Sequence, residues 1–325
     1  MTNLCASLPL LVVFTSSATV SCTSGVTEND PAFDGKGDSA NVENDRGHLE
    51  TFDVDGATID GVELPARTLY IWFPNAPITH TLYVHDGQNL WEGGWRIHDN
   101  VPEGMVIVGI ENAGGRRFDE YTHVQDENGG GNAAAYAAYV QNVVRPRVRG
   151  ILLGGDEHTV GVMGSSLGGL VSLFLVDAFP DDYAFVASLS GTQYWGSLGA
   201  NFHNQTIVER YASQGHRKTK IYLDSGGGIT DDSGNFVSHD SGDCRDLDDD
   251  GLTDDTRDAD NFCANHQLRI VLENRGYQHG VDLFHWYQPE AGHNEAAWAK
   301  RVSGEAESGG SPIVGGGPVQ IFGRL

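Results

Sequence analysis

The stretch with the clearest chemistry is Gly164-Ser165-Ser166-Leu167-Gly168, a Gly-x-Ser-x-Gly pentapeptide. A serine at the centre of this pattern sits on a sharp strand-to-helix turn. Side chains two residues to either side would collide there, so Gly164 and Gly168 are what the turn demands. The β-branched run His158 to Met163 precedes it and the apolar run Leu167 to Ala178 follows it, which supplies the strand and the helix that such a turn needs. Ser166 is then the candidate nucleophile for acyl transfer. The start of the following helix would aim N–H groups and a positive dipole end at the site, with the Leu167 N–H as one arm of an oxyanion hole.

A serine nucleophile needs a base and an acid to orient that base, and behind an elbow of this kind they follow it in chain order, acid first. His293, beside Gly292 after the last predicted strand, is in place for the base; His279 and His285 lie in or next to that strand and read as structural. The acid is less sharply defined, because the loop that should carry it is expanded into about residues 225–262. Asp260, which stands where the fold resumes before a helix, is the first choice and Asp224, at a strand end, the second; Asp231, Asp232 and Asp258 are also candidates. The second oxyanion donor is expected in His85-Asp86-Gly87-Gln88, where Gly87 permits a sharp turn and the Gln88 N–H points inward. Trp91 and Trp95 follow closely, either lining a pocket or packing the loop.

These residues need a scaffold, and the pattern supplies one. Residues 49–54 and 68–73 read as strands of an early, partly antiparallel edge. The short apolar runs 81–85, 105–110, 158–163, 183–190, 220–224 and 281–287, bounded by Gly, Asp and Asn, describe a buried sheet, mostly parallel. Helices are expected over 133–149, 167–178 and 268–275, the last stopping at Gly276. One α/β catalytic domain over 48–302 results. The Gly-rich tail 303–325 shows no helical period and is expected to be unstructured.

The chain of 325 residues carries a formal net charge of −25. That excludes a nucleic-acid partner, since phosphate binding needs a basic footprint. Residues 1–22 hold an apolar stretch too short to span a bilayer, followed by small residues, which reads as an export signal. Cys22 at its end is placed for lipid attachment to a membrane, with simple cleavage as the alternative. Residues 23–47, rich in Thr, Ser, Gly, Asn and Asp, read as a disordered linker. With Cys5 and Cys22 set aside, Cys244 and Cys263 remain to form a disulfide in an oxidising compartment.

The expanded loop has a motif of its own. Asp246, Asp248, Asp250 and Asp254 occupy positions 1, 3, 5 and 9 of a calcium-loop pattern, with Gly251 at 6 and Leu252 at 7. Position 12 is Arg257 where the pattern has Glu, so Asp255 or Asp258 would complete the shell. Structural Ca²⁺ is expected, since these carboxylates repel one another without a cation. The mechanism calls for no catalytic cofactor.

Taken together, His-Asp-Gly-Gln-Asn-Leu-Trp at 85–91, Gly-Ile-Glu-Asn at 109–112, Arg-Phe-Asp-Glu-Tyr at 117–121, Gly-Ser-Ser-Leu-Gly-Gly at 164–169 and Gly-His-Asn-Glu-x-x-Trp at 292–298 resemble the esterase D branch of the α/β-hydrolases. The resemblance spans roughly residues 60–300. It implies an α/β-hydrolase fold with helices on both faces of the sheet, Ser166 and His293 as nucleophile and base, a structural ion pair between Arg117 and Glu120, and hydrolysis of a small-molecule or polymer-borne ester. The long acidic insertion and the missing apolar C-terminal helix depart from the branch. Two rivals remain: acyl transfer to an acceptor other than water, and a non-catalytic surface module that binds through its calcium loop.

Overall fold

The computed structural model describes residues 42–152, 158–198, 202–226, 229–230, 236–237, 244, 251–252, 260–288, 291–304 and 316–325. In chain order the strands and helices are β1 (Glu43–Asn44), β2 (Gly47–Val54), β3 (Ala57–Ile59), β4 (Val62–Leu64), β5 (Arg67–Pro74), β6 (His80–His85), β7 (Met105–Ile110), α1 (Arg117–Tyr121) and α2 (Ala133–Tyr139). A π turn over Val140–Val144 leads into α3 (Arg145–Ile151), then β8 (Thr159–Ser165), α4 (Leu167–Ala178), β9 (Phe185–Leu189), α5 (Ile207–Ala212) and β10 (Lys220–Ser225). The remainder is β11 (Ile229–Thr230), β12 (Phe236–Val237), α6 (Phe262–Asn274), β13 (Leu283–Tyr287), α7 (Glu295–Ser303) and α8 (Pro318–Phe322).

Nine strands form one sheet in the order β1-β2-β5-β7-β6-β8-β9-β10-β13. The first three and the β5–β7 pair run antiparallel; from β7 to β13 every neighbouring pair is parallel. The short central strands are buried on both faces, and their period of two splits them between two cores. Tyr83, Val106, Val108 and Val162 join the core shared with α2 and α4, whereas Leu82, Val84, Ile107 and Met163 join the one shared with Trp298, Val319 and Phe322. Helix α4 is buried from Leu167 to Asp177, as a helix apolar all round must be. It packs on β8 and β9 and lies against α1, α2 and α5.

Two expected boundaries are corrected. Order begins before residue 48: Val42 is buried, and β1 pairs with the start of β2 through a turn at Asp45-Arg46, so the polar stretch assigned to the linker contributes the sheet edge. The tail is not wholly unstructured either. Pro318 starts α8, and Val319, Ile321 and Phe322 are buried, with Phe322 stacked on Phe185 at 5.2 Å. A five-residue helix is too short to display a period, and packing alone holds it. Residues 1–41, including Cys5 and Cys22, and residues 305–315 lie outside the described residues.

Cys244 and Cys263 are bonded, as the cysteine count suggested, and tie the insertion to the first turn of α6 across 19 residues. By the chain-entropy relation this loop closure contributes about 3 kcal/mol. A Cys244→Ser/Cys263→Ser variant is expected to lose that much in urea unfolding; an unchanged midpoint would contradict it.

Candidate active site

Strand β8 ends at Ser165 and α4 starts at Leu167, which leaves Ser166 alone in the corner at φ 54°, ψ −125°. A side chain held there costs about 1–3 kcal/mol of strain. Close packing maintains it: a Cβ on Gly164 would stand 2.5 Å from the Gly168 carbonyl carbon, and one on Gly168 would stand 3.1 Å from Asp86 Oδ2. Ser166 N donates to Leu189 O at 2.8 Å, fixing the corner to β9.

His293 follows β13 as predicted, and its Nε2 lies 2.9 Å from Ser166 Oγ. Its Nδ1 lies 2.6 Å from Asp260 Oδ1, and the Asp260 side chain is fully buried. The preferred acid is thus the one the structure joins to the histidine. Asp224, the second choice, is also fully buried but bonds elsewhere: Tyr222 OH donates to its Oδ2 at 3.0 Å, and Ser190 N to its Oδ1 at 3.2 Å. Burial pushes the Asp224 carboxyl up to about 6, against the downward pull of Arg301 and these donors. Asp231, Asp232 and Asp258 lie outside the described residues, as do Asp246, Asp248, Asp250, Asp254 and Asp255. Within the calcium-loop pattern Gly251 has φ 90°, the left-handed turn the motif requires at position 6, and Leu252 is buried in the core.

Leu167 opens α4, so its N–H has no acceptor within the helix. Gln88 sits in the turn Gly87–Asn89, entered through Asp86 at φ 59°, and its N–H is likewise a first-turn donor. Gly87 is needed there because a Cβ would stand 2.3 Å from Gly109 of β7. The turn is braced from two sides. Asn112 N donates to Gln88 Oε1 at 3.3 Å, and the carboxylate of Glu295, two residues after His293, accepts from Asn89 Nδ2 and Trp95 Nε1. Burial raises the Glu295 carboxyl to about 7. Trp91 and Trp95 are 1% and 2% exposed and belong to the core beneath the loop, so their role is packing.

The ion pair expected between Arg117 and Glu120 does not form. Arg117 clasps Asp86 in a bidentate pair at 2.7 and 2.8 Å, with Asn112 Nδ2 on the same carboxylate at 2.7 Å. Burial works against the ionised Asp86, yet Arg117 and Asn112 outweigh it and hold the carboxyl below its ordinary range. Glu120 instead pairs with buried Arg67 of β5 at 3.0 Å. Although i and i+3 positions on a helix can pair, each side chain here has a stronger partner elsewhere, Arg117 in the turn after β6 and Glu120 on β5. His285 in β13 has its pKa lowered by burial to about 3, and His279 is exposed; neither reaches the site. A groove of about 1080 Å³ lies at the other end of the sheet, lined by Thr79, Thr159, Tyr183 and Lys218, whereas the triad stands at the carboxyl ends of the strands, where sites in open α/β sheets form.

Residues 65–307 match the model of the Esterase family, described as "Putative esterase". A curated Bacillus subtilis protein, "Uncharacterized protein YbbA", is 26% identical over 140 residues, 39% of this chain and 55% of that one, so the match spans little more than half of that relative. Among solved structures, an IroE-like serine hydrolase from Shewanella oneidensis aligns at TM-score 0.55 with 13% identity, over 77% of this chain and 76% of that chain. Siderophore hydrolase EstB from Aspergillus nidulans aligns at 0.52 with 16% identity, over 84% and 98%. At such identities the likeness to the solved structures is one of fold, and the family rests on the match over residues 65–307. The chain belongs to this esterase family and has the α/β-hydrolase fold.

Proposed function

We propose that the protein is an exported serine esterase that works through an acyl-enzyme. Ser166 attacks the ester carbonyl while His293 takes its proton and then delivers it to the leaving alcohol. Asp260 holds the imidazole tautomer, and the Leu167 and Gln88 N–H groups receive the oxyanion. Water, activated by the same histidine, releases the acid. The observation that carries this reading is the run of two contacts, 2.9 Å from Ser166 to His293 and 2.6 Å from His293 to Asp260. Transfer to another acyl acceptor uses the same first half-reaction and differs only in what enters second.

Stopped-flow hydrolysis of p-nitrophenyl butyrate tests it. A burst of p-nitrophenol equal to the enzyme concentration is expected, followed by a slower steady state; a linear trace with no covalent intermediate at any temperature would contradict an accumulating acyl-enzyme. Added alcohols that divert the product to a new ester would favour the transferase. The shared fold with EstB, a siderophore hydrolase, makes siderophore esters the next substrates to try.

Export is supported by the apolar leader and by the Cys244–Cys263 disulfide, which belongs to an oxidising compartment. Intact-mass measurement of the mature protein would give the cleavage point and any lipid on Cys22. We assign the acidic insertion a structural Ca²⁺, supported by the ligand spacing and the left-handed Gly251. Chelation is expected to lower Tm by several degrees and to leave activity at about 20 °C unchanged; an unchanged Tm would speak against a bound ion.

A further inference from the structure

Asp260 has a second oxygen, held by groups that take no part in the proton transfers at Ser166 and His293. Oδ2 accepts from Ser190 Oγ at 2.7 Å, from Arg301 Nη1 at 3.2 Å and from the Gly226 N–H. Ser190 Oγ in turn receives Arg301 Nη2 at 2.6 Å and Trp298 Nε1 at 3.0 Å. A hydroxyl has one proton and two lone pairs. Both lone pairs meet groups that only donate, so the Ser190 proton is committed to Asp260. The third edge of the guanidinium, Nε, lies 3.3 Å from Asp224 Oδ1. Arg301, Asp260 and Asp224 are all fully buried.

We propose that Arg301 is the positioning residue of the catalytic acid: its planar fork locks Asp260 and Ser190 together so that Asp260 Oδ1 stays aimed at His293 Nδ1. Rotation of the carboxylate would break contacts to Arg301, Ser190 and Gly226 at once. The arginine comes from α7, which starts two residues after His293, while Ser190 follows β9, Asp224 lies in β10 and Asp260 precedes α6. One side chain therefore sets the histidine-bearing segment against the acid-bearing one. A lysine would keep the charge, but it lacks the fork that donates to Asp260 and Ser190 at once while its Nε edge stands beside Asp224. Asp224 has a role in this arrangement as well, anchoring the far side of the guanidinium.

The proposal rests on the serine esterase reading, and a double-mutant cycle on the full chain with p-nitrophenyl acetate separates the two. Arg301→Lys is expected to lower kcat by about 10- to 100-fold, the cost of a misplaced catalytic group, with KM within about twofold. In an Asp260→Asn background the same change should cost less than about twofold, because there is no longer a carboxylate to aim. An equal loss in both backgrounds would make Arg301 a merely structural residue, and no loss in either would leave it idle; each overturns the proposal. Should Arg301→Lys fail to fold, Ser190→Ala keeps the ion pair and decides the matter: its loss in kcat must vanish in the Asp260→Asn background, and persistence there overturns the proposal. Failure of the esterase reading shows separately, as turnover retained by Ser166→Ala.

Discussion

Ser166→Ala is expected to lower kcat on p-nitrophenyl acetate by about 10⁴- to 10⁶-fold while the protein stays folded. The serine oxygen is the only atom lost, its bond to His293 is partly solvated, and the elbow is held by Gly164, Gly168 and the Ser166 N–H to Leu189. The residual rate would come from binding and the two oxyanion donors. Ser166→Gly tests the backbone as well as the oxygen. At φ 54° and ψ −125° a glycine sits without strain, so this variant should be equally inactive and more stable by about 1 kcal/mol. Steady-state kinetics and urea unfolding check both. An inactive but less stable glycine variant would mean that the corner is not strained.

Asp260→Asn is expected to lower kcat by about 10⁴-fold, whereas Asp224→Asn should stay within about tenfold. Both carboxylates are fully buried and lie near Arg301, so burial and charge do not separate them. Contact does: Asp260 touches the imidazole at 2.6 Å, and Asp224 accepts from Tyr222 and Ser190 and stands in an ion pair with Arg301. An asparagine at 260 would present either an amide N–H to His293 Nδ1 or a neutral carbonyl, losing the correct tautomer or the support for the imidazolium. Equal losses in the two variants would place the acid function in the buried cluster as a whole.

How much of this was legible in the sequence follows from how each residue is constrained. The elbow is a local steric problem with one solution, glycine at two fixed offsets, so Ser166 could be read directly, and His293 followed from chain order. The acid was legible only as a preference for Asp260 among several aspartates, because a long insertion separates β10 from α6 and removes the usual spacing. The pairing of Arg117 with Glu120 is an implication of the family resemblance, whereas its actual partner Asp86 lies 31 residues earlier, in the turn after β6, and meets it only in the folded protein. Arg301 left no trace at all. Its partners Ser190 and Asp260 are 111 and 41 residues away, and it is buried because the turns after β9 and before α6 close over it. Helix α8 is a tertiary feature for the same reason: five residues carry no period, and Phe322 finds its place against Phe185 and His80.

In the proposed mechanism Ser166 is a nucleophile made reactive by His293 and Asp260. The most direct test is to treat the folded full-length protein with diisopropyl fluorophosphate and locate the added phosphoryl group by intact and peptide mass spectrometry. One stoichiometric adduct on Ser166 is expected, absent from Ser166→Ala and formed far more slowly in Asp260→Asn. A folded protein that hydrolyses p-nitrophenyl esters yet takes no label at Ser166 would contradict the claim.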